Sequence, residues 1–274
     1  MVEFVVVGPL ITILGMAILQ YSLMFFAKTQ MNHAAFMAAR AGSVAHATLN
    51  TIESAYKRAL IPLYGGGEST AELQASYARV VADLTPTVLR IEVLNPTQQS
   101  FDDFAKDANL NQFFGARAIP NTGIGLGPGL DDVGATSGQT LQDANLLKLR
   151  ITHGYEPKVW LLGMIHSKYL AWTDTGQDSF ATQLIQSGRI PVVSHVTVEM
   201  HSEALEQKDA NGKNIFASSP GQGNNGVPVN PGNAAENTLP APDCVTMGCS
   251  VTRTPADPDG AGACAGSNCP VCKG

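Results

Sequence analysis

After Glu3 the chain carries no charged side chain until Lys28, and most positions in the run 4–27 are apolar. A helix over that run rises about 36 Å, enough to cross a hydrocarbon core of about 30 Å. From residue 28 the pattern changes. Small and apolar residues recur at helical spacing: Met31, Ala35, Ala38, Gly42, Ala45, Leu49, Ile52, Tyr56 and Ala59. Glu53 and Lys57 form an i,i+4 pair on the polar side, and Pro62 with Gly65, Gly66 and Gly67 ends the pattern. The apolar half 4–27 and the amphipathic half 28–61 together predict one N-terminal rod over 1–61, about 85–90 Å long. Ala35, Ala38, Gly42 and Ala45 form a small-residue stripe of the kind that lets helix backbones approach closely.

Beyond the rod the periods alternate. Ser69 as N-cap and Glu72 three residues on open a helix over 69–84, which Pro86 closes. Segments 88–94, 146–155 and 192–200 alternate with period two and predict strands. Their apolar sets are Leu89, Ile91 and Val93, then Leu147, Leu149 and Ile151, then Val196, Val198 and Met200. These should line the buried side of an antiparallel sheet, with helix 69–84 over it. Arg90, Glu92, Lys148, Arg150, Thr197 and Glu199 fall on the other face, where opposite charges suit cross-strand pairing. The expected class is α+β: a long N-terminal hydrophobic α-helix, an antiparallel-sheet head domain over 68–206, an Asn/Gly/Pro-rich linker or loop over 207–243, and a cysteine-rich tail over 244–274. Segment 115–139 reads as a loop, and no internal repeat is present. Segment 158–172 is apolar but too short to span a bilayer, so it packs on the head or on a neighbouring subunit.

Composition narrows the function. The net charge is −6 and no Lys/Arg cluster occurs, which argues against a nucleic-acid groove. All five cysteines, Cys244, Cys249, Cys264, Cys269 and Cys272, lie in the last 31 residues. Such crowding points to an oxidising compartment and to two disulfides with one thiol left over. Lys273 stands where a haem attachment motif needs His, and the spacing, with no adjacent His, disfavours zinc.

Catalytic motifs are missing. Gly123, Gly125, Gly127 and Gly129 invite a phosphate-loop reading, yet Pro128 breaks the dinucleotide pattern and no Gly-Lys-Ser/Thr follows. His195, Glu199 and His201 share one strand face at two-residue steps, a conceivable metal set with no second-strand partner; a solvated trio is the simpler reading. No nucleophile elbow or His-Glu-x-x-His helix occurs, so neither an enzyme nor a cofactor is expected.

Val2-Glu3-Phe4, the apolar run with Pro9 early in it, and then QMNHAAFMAARAGSVA resemble the N-terminal signature of TadE-like proteins, pilin-related subunits of the tight-adherence branch of type IV pili. The resemblance covers roughly the first 50 residues. It implies a self-assembling extracellular filament in which Glu3, Phe4 and Pro9 serve assembly, with inner-membrane residence beforehand. The implied partners are further copies of the chain, a prepilin peptidase and the inner-membrane assembly machinery. In such proteins the acid stands at mature position five, so a mature end one or two residues ahead of Met1, or a shorter one, is expected. A minor pilin or assembly factor, a bitopic membrane protein with a periplasmic binding head, and an adhesive head on a filament are the alternatives.

Overall fold

In the computed structural model, which describes residues 2–122, 133–208 and 214–218, the apolar run and the start of the amphipathic pattern join in one helix, α1 (Val2–Val44). Pro9 lies inside it. The hydroxyls of Thr12, Ser22 and Thr29 donate to the carbonyls of Pro9, Ile18 and Phe25 at 2.8, 2.8 and 3.0 Å, so these polar groups are bonded within the helix itself.

The rod does not run on to residue 61. α1 ends at Val44, His46 and Ala47 both take left-handed φ of 58°, and the chain reverses into α2 (Leu49–Ala59), which packs back on α1. Two successive non-glycine residues in that region cost roughly 1–2 kcal/mol each. Tertiary bonds hold them there. The amide of His46 donates to Ser202 Oγ at 2.9 Å, its Nδ1 lies 2.9 Å from the Glu203 carbonyl, and the Ala47 amide donates to the Gly42 carbonyl at 2.9 Å. The apolar period survives the break because both helices bury into the same core, so periodicity alone reads them as one.

A 3₁₀ turn (Ile61–Tyr64) stopped by Gly65 at φ 115° leads to α3 (Thr70–Asp83). Its capping box is as expected: Ser69 Oγ accepts from the Glu72 amide and the Glu72 carboxylate accepts from the Ser69 amide. The main sheet is antiparallel, in the order β1 (Leu89–Asn95), β3 (Leu146–Tyr155), β4 (Ile190–Glu199). Ile91 stands opposite Ile151, and Leu149 opposite Val196. Between β1 and β3 lie α4 (Gln98–Phe104), α5 (Ala108–Phe114), β2 (Ala118–Ile119) and α6 (Leu141–Ala144); β2 pairs with β5 (Ala204–Leu205). Between β3 and β4 lie α7 (Trp160–Thr173) and α8 (Ser179–Gln186).

The buried side of the sheet is the one the alternation assigns, but its cover differs. α1 lies across β3 and β4, while α3 packs on the 3₁₀ turn and α2. Met31, Ala34, Ala35, Ala38 and Ala39 of α1 are buried with Leu147, Leu149 and Ile151 in one cluster. A long helix with an alanine-rich face approaches a sheet more closely than α3 could, and it covers more of the strands' length. On the outer face Arg150 Nε meets Glu92 at 2.6 Å, and Arg90 meets Asp178, the N-cap of α8, at 2.6 Å with its guanidinium 4.7 Å from the Phe180 ring centroid.

Candidate assembly and membrane-anchoring site

α1 is half inside the head and half outside. From Ala27 to Ala39 its inward positions are buried. Before that, Leu10, Ile11, Leu14, Ile18, Leu19 and Phe25 are exposed, as is Pro9. The head's first firm hold is Gln20: its side chain is buried, and its Oε1 accepts from the Val159 amide, the N-cap of α7, at 2.9 Å. The stretch Val7–Val44 is long and apolar enough to cross a membrane by length and composition. Glu3 and Phe4 begin the helix on its backbone, and their side chains lie outside the described residues.

The small-residue stripe is occupied by the chain itself. Ala35 and Ala38 are fully buried in the head's core. A Cβ on Gly42 would lie 2.6 Å from Ile52 Cγ1 of α2 and 3.1 Å from Leu147 Cδ2 of β3, so Gly42 marks the closest approach of helix, helix and sheet. Ala45 is half-buried at the break. Gly15, in the exposed half, has nothing near it.

This geometry, an exposed apolar half-helix continued into a head-bound half, belongs to a segment that a family model matches. Residues 1–40 match the TadE-like protein family. No curated protein and no solved structure matches the chain. The TadE-like segment ends inside α1, just before the break, and the sheet lies wholly outside it. Over residues 1–40 the chain is similar to TadE-like proteins, and the helix that carries this match is long and apolar enough to cross a membrane.

The other candidates separate. His195 and Glu199 are exposed on β4 and His201 lies past its end; among the described residues no group of three His, Cys, Asp or Glu could hold a metal. The glycine-rich loop through Gly129 and the tail with all five cysteines lie outside the described residues.

Two features go beyond the sequence pattern, the second of them a side for the apolar segment 158–172 that the pattern left open. One is a buried polar cluster where α2, α3 and β3 meet: Tyr56 Oη lies 3.0 Å from His153 Nδ1, and nearby Tyr64 donates to Asp83, which also meets Arg189 Nη2 at 2.6 Å. Burial pushes His153 down to about 4 and pushes both phenols up. Burial works to raise Asp83, but hydrogen bonds from Arg189 and Tyr64 outweigh it and hold its carboxyl below the usual range. His153 occupies the inward position after Ile151, so a polar residue in an apolar alternation was the available signal. The other feature is α7, whose apolar side faces outward: Met164, Ile165, Tyr169 and Trp172 are exposed at 45, 55, 56 and 83%.

Proposed function

We propose that this chain is a structural subunit of an extracellular Tad-like, type IV pilus-like filament. Its subunits assemble by bundling the apolar half of α1, and their heads coat the outside. The exposed apolar half-helix ahead of Gln20, within the TadE-like match, carries this reading. A helix with so much apolar surface needs either lipid or other helices around it, and a pilin uses the two in turn. A prepilin peptidase and the inner-membrane assembly machinery are the partners this implies, and no catalytic role is assigned to the head.

A minor pilin or assembly factor of a Tad system is the second reading. The observation favouring it is that Ala35, Ala38 and Gly42 are engaged within the chain, which leaves only the first half of α1 for bundling. Electron microscopy of sheared surface fractions, with mass spectrometry of the purified fibre, separates the two. Abundance as the main fibre component supports a structural subunit; trace amounts support the minor role. A chain confined to the membrane fraction as a monomer is a bitopic protein, and the filament reading falls.

A further inference from the structure

α7 is built inside out. Its inner side presents Gly163, which is buried, and Leu170, which packs on the head's core, while Met164, Ile165, Tyr169 and Trp172 share the outward face with Lys168. The arc follows from helical spacing: positions 164, 165, 168, 169 and 172 fall on one side. Its first turn is fixed. The Val159 amide is bonded to Gln20 of α1, and a Cβ on Gly163 would come within 2.8 Å of Pro157 Cβ. At the far end Asp178 ties the following helix to Arg90 of β1. An apolar helix face is therefore held outward at the level where α1 leaves the head.

A hydrocarbon core that began near Glu3 would end close to that level. Glu3, the first charge, and Gln20, the first polar contact with the head, are about 26 Å apart along α1, close to the roughly 30 Å of a hydrocarbon core. At 14 residues α7 rises about 21 Å and cannot itself span. Its chemistry fits a shallower position. Tryptophan and tyrosine concentrate at the headgroup level, and lysine extends toward anionic headgroups. Both tryptophans of the chain, Trp160 and Trp172, fall in α7; Lys168 is exposed on the outward face, and Lys158, exposed just before the helix, is paired with Glu156 at 3.1 Å.

We infer that α7 is an interfacial foot: its outward face lies in the headgroup region of an anionic phospholipid bilayer, beside the point where α1 enters. It sets the head's height and tilt on the membrane. The inference rests on the membrane-anchored reading of α1 and deepens it.

Because both tryptophans sit in α7, the unmodified chain reports on it directly. The full chain is reconstituted into phosphatidylethanolamine/phosphatidylglycerol vesicles, with plain lipids or lipids brominated on their upper acyl carbons, and α1 insertion is checked by resistance to alkaline extraction. The expected result is loss of most of the tryptophan emission in brominated vesicles and shielding from aqueous iodide in plain ones. W160F, which leaves Trp172 as the single reporter, should behave alike. A chain that resists extraction yet keeps its emission in brominated lipid and is quenched by iodide overturns the foot while leaving the anchor standing. Shielding that grows with protein-to-lipid ratio, without bromolipid quenching, gives the face to a second copy and also overturns it. Release by alkali removes the anchor reading and the foot together.

Discussion

His153 follows Leu147, Leu149 and Ile151 on the inward side of β3, and burial there penalises its charged form. With the Tyr56 phenol held protonated by its own burial, the phenol donates and the neutral imidazole accepts through Nδ1. The folded value, about 4, lies below the ordinary imidazole value of 6.5, so the unfolded chain takes up the proton first on acidification. Stability is therefore full above the unfolded value and falls as pH drops from about 6.5 to about 4, by on the order of 3 kcal/mol. The lowered carboxylates, Glu72, Asp83, Asp103, Asp174 and Asp178, lose their contributions only as pH falls through and below their ordinary range, at the lower end of this window and beneath it. Thermal unfolding of the detergent-solubilised chain should show a midpoint that declines across the window in wild type and stays flat in His153→Gln. A variant with the same slope as wild type would assign the effect elsewhere.

At the scale of elements, Gly42 is where α1, α2 and β3 converge, and it explains why the hairpin of α1 and α2 forms. An added Cβ meets Ile52 Cγ1, an atom near the α2 backbone rather than a free side-chain end, so α2 itself must move. Gly42→Ala should destabilise the head by about 1–3 kcal/mol through overpacking, read as a lower unfolding midpoint and faster amide exchange in α2. This junction also marks the limit of what the sequence discloses. The strands, their inward faces and the capping box of α3 were legible, because period-two alternation and the Ser69–Glu72 pair are local signals. The reversal at His46 and Ala47 was not. It contains neither Gly nor Pro, and residues 201–207, more than 150 positions away, supply the bonds that hold it. The same nonlocality hid the cover of the sheet: an alanine stripe looks alike whether it meets another subunit or the chain's own strands, and here it meets the strands.

For the whole molecule, the division of α1 at Gln20 separates what folds the head from what, on the filament reading, would assemble it, and two substitutions exploit the division. Gly15 lies in the exposed half with nothing within 4 Å of an added Cβ, so Gly15→Leu leaves the monomer's packing untouched. In a helical bundle the same change adds a bulky side chain where backbones approach closely. Glu3 precedes the same half of α1 along the chain, and in a filament core it would need a cation, for which a neighbouring subunit's N-terminal amine is the candidate. Such a pair adds little net stability, because desolvation offsets most of the attraction, but losing one member leaves a buried charge costing roughly 3–5 kcal/mol. On the filament reading, a subunit docked out of register would meet the same penalty, and Glu3 would serve as a register device. Glu3→Ala and Gly15→Leu should therefore insert into the membrane, keep the wild-type unfolding midpoint of the head, and yield few or no fibres in sheared fractions, in contrast to Gly42→Ala, which lowers the midpoint first. Fibres at wild-type abundance from both variants would mean that α1 is a membrane anchor alone, with Glu3 an interfacial charge at its end.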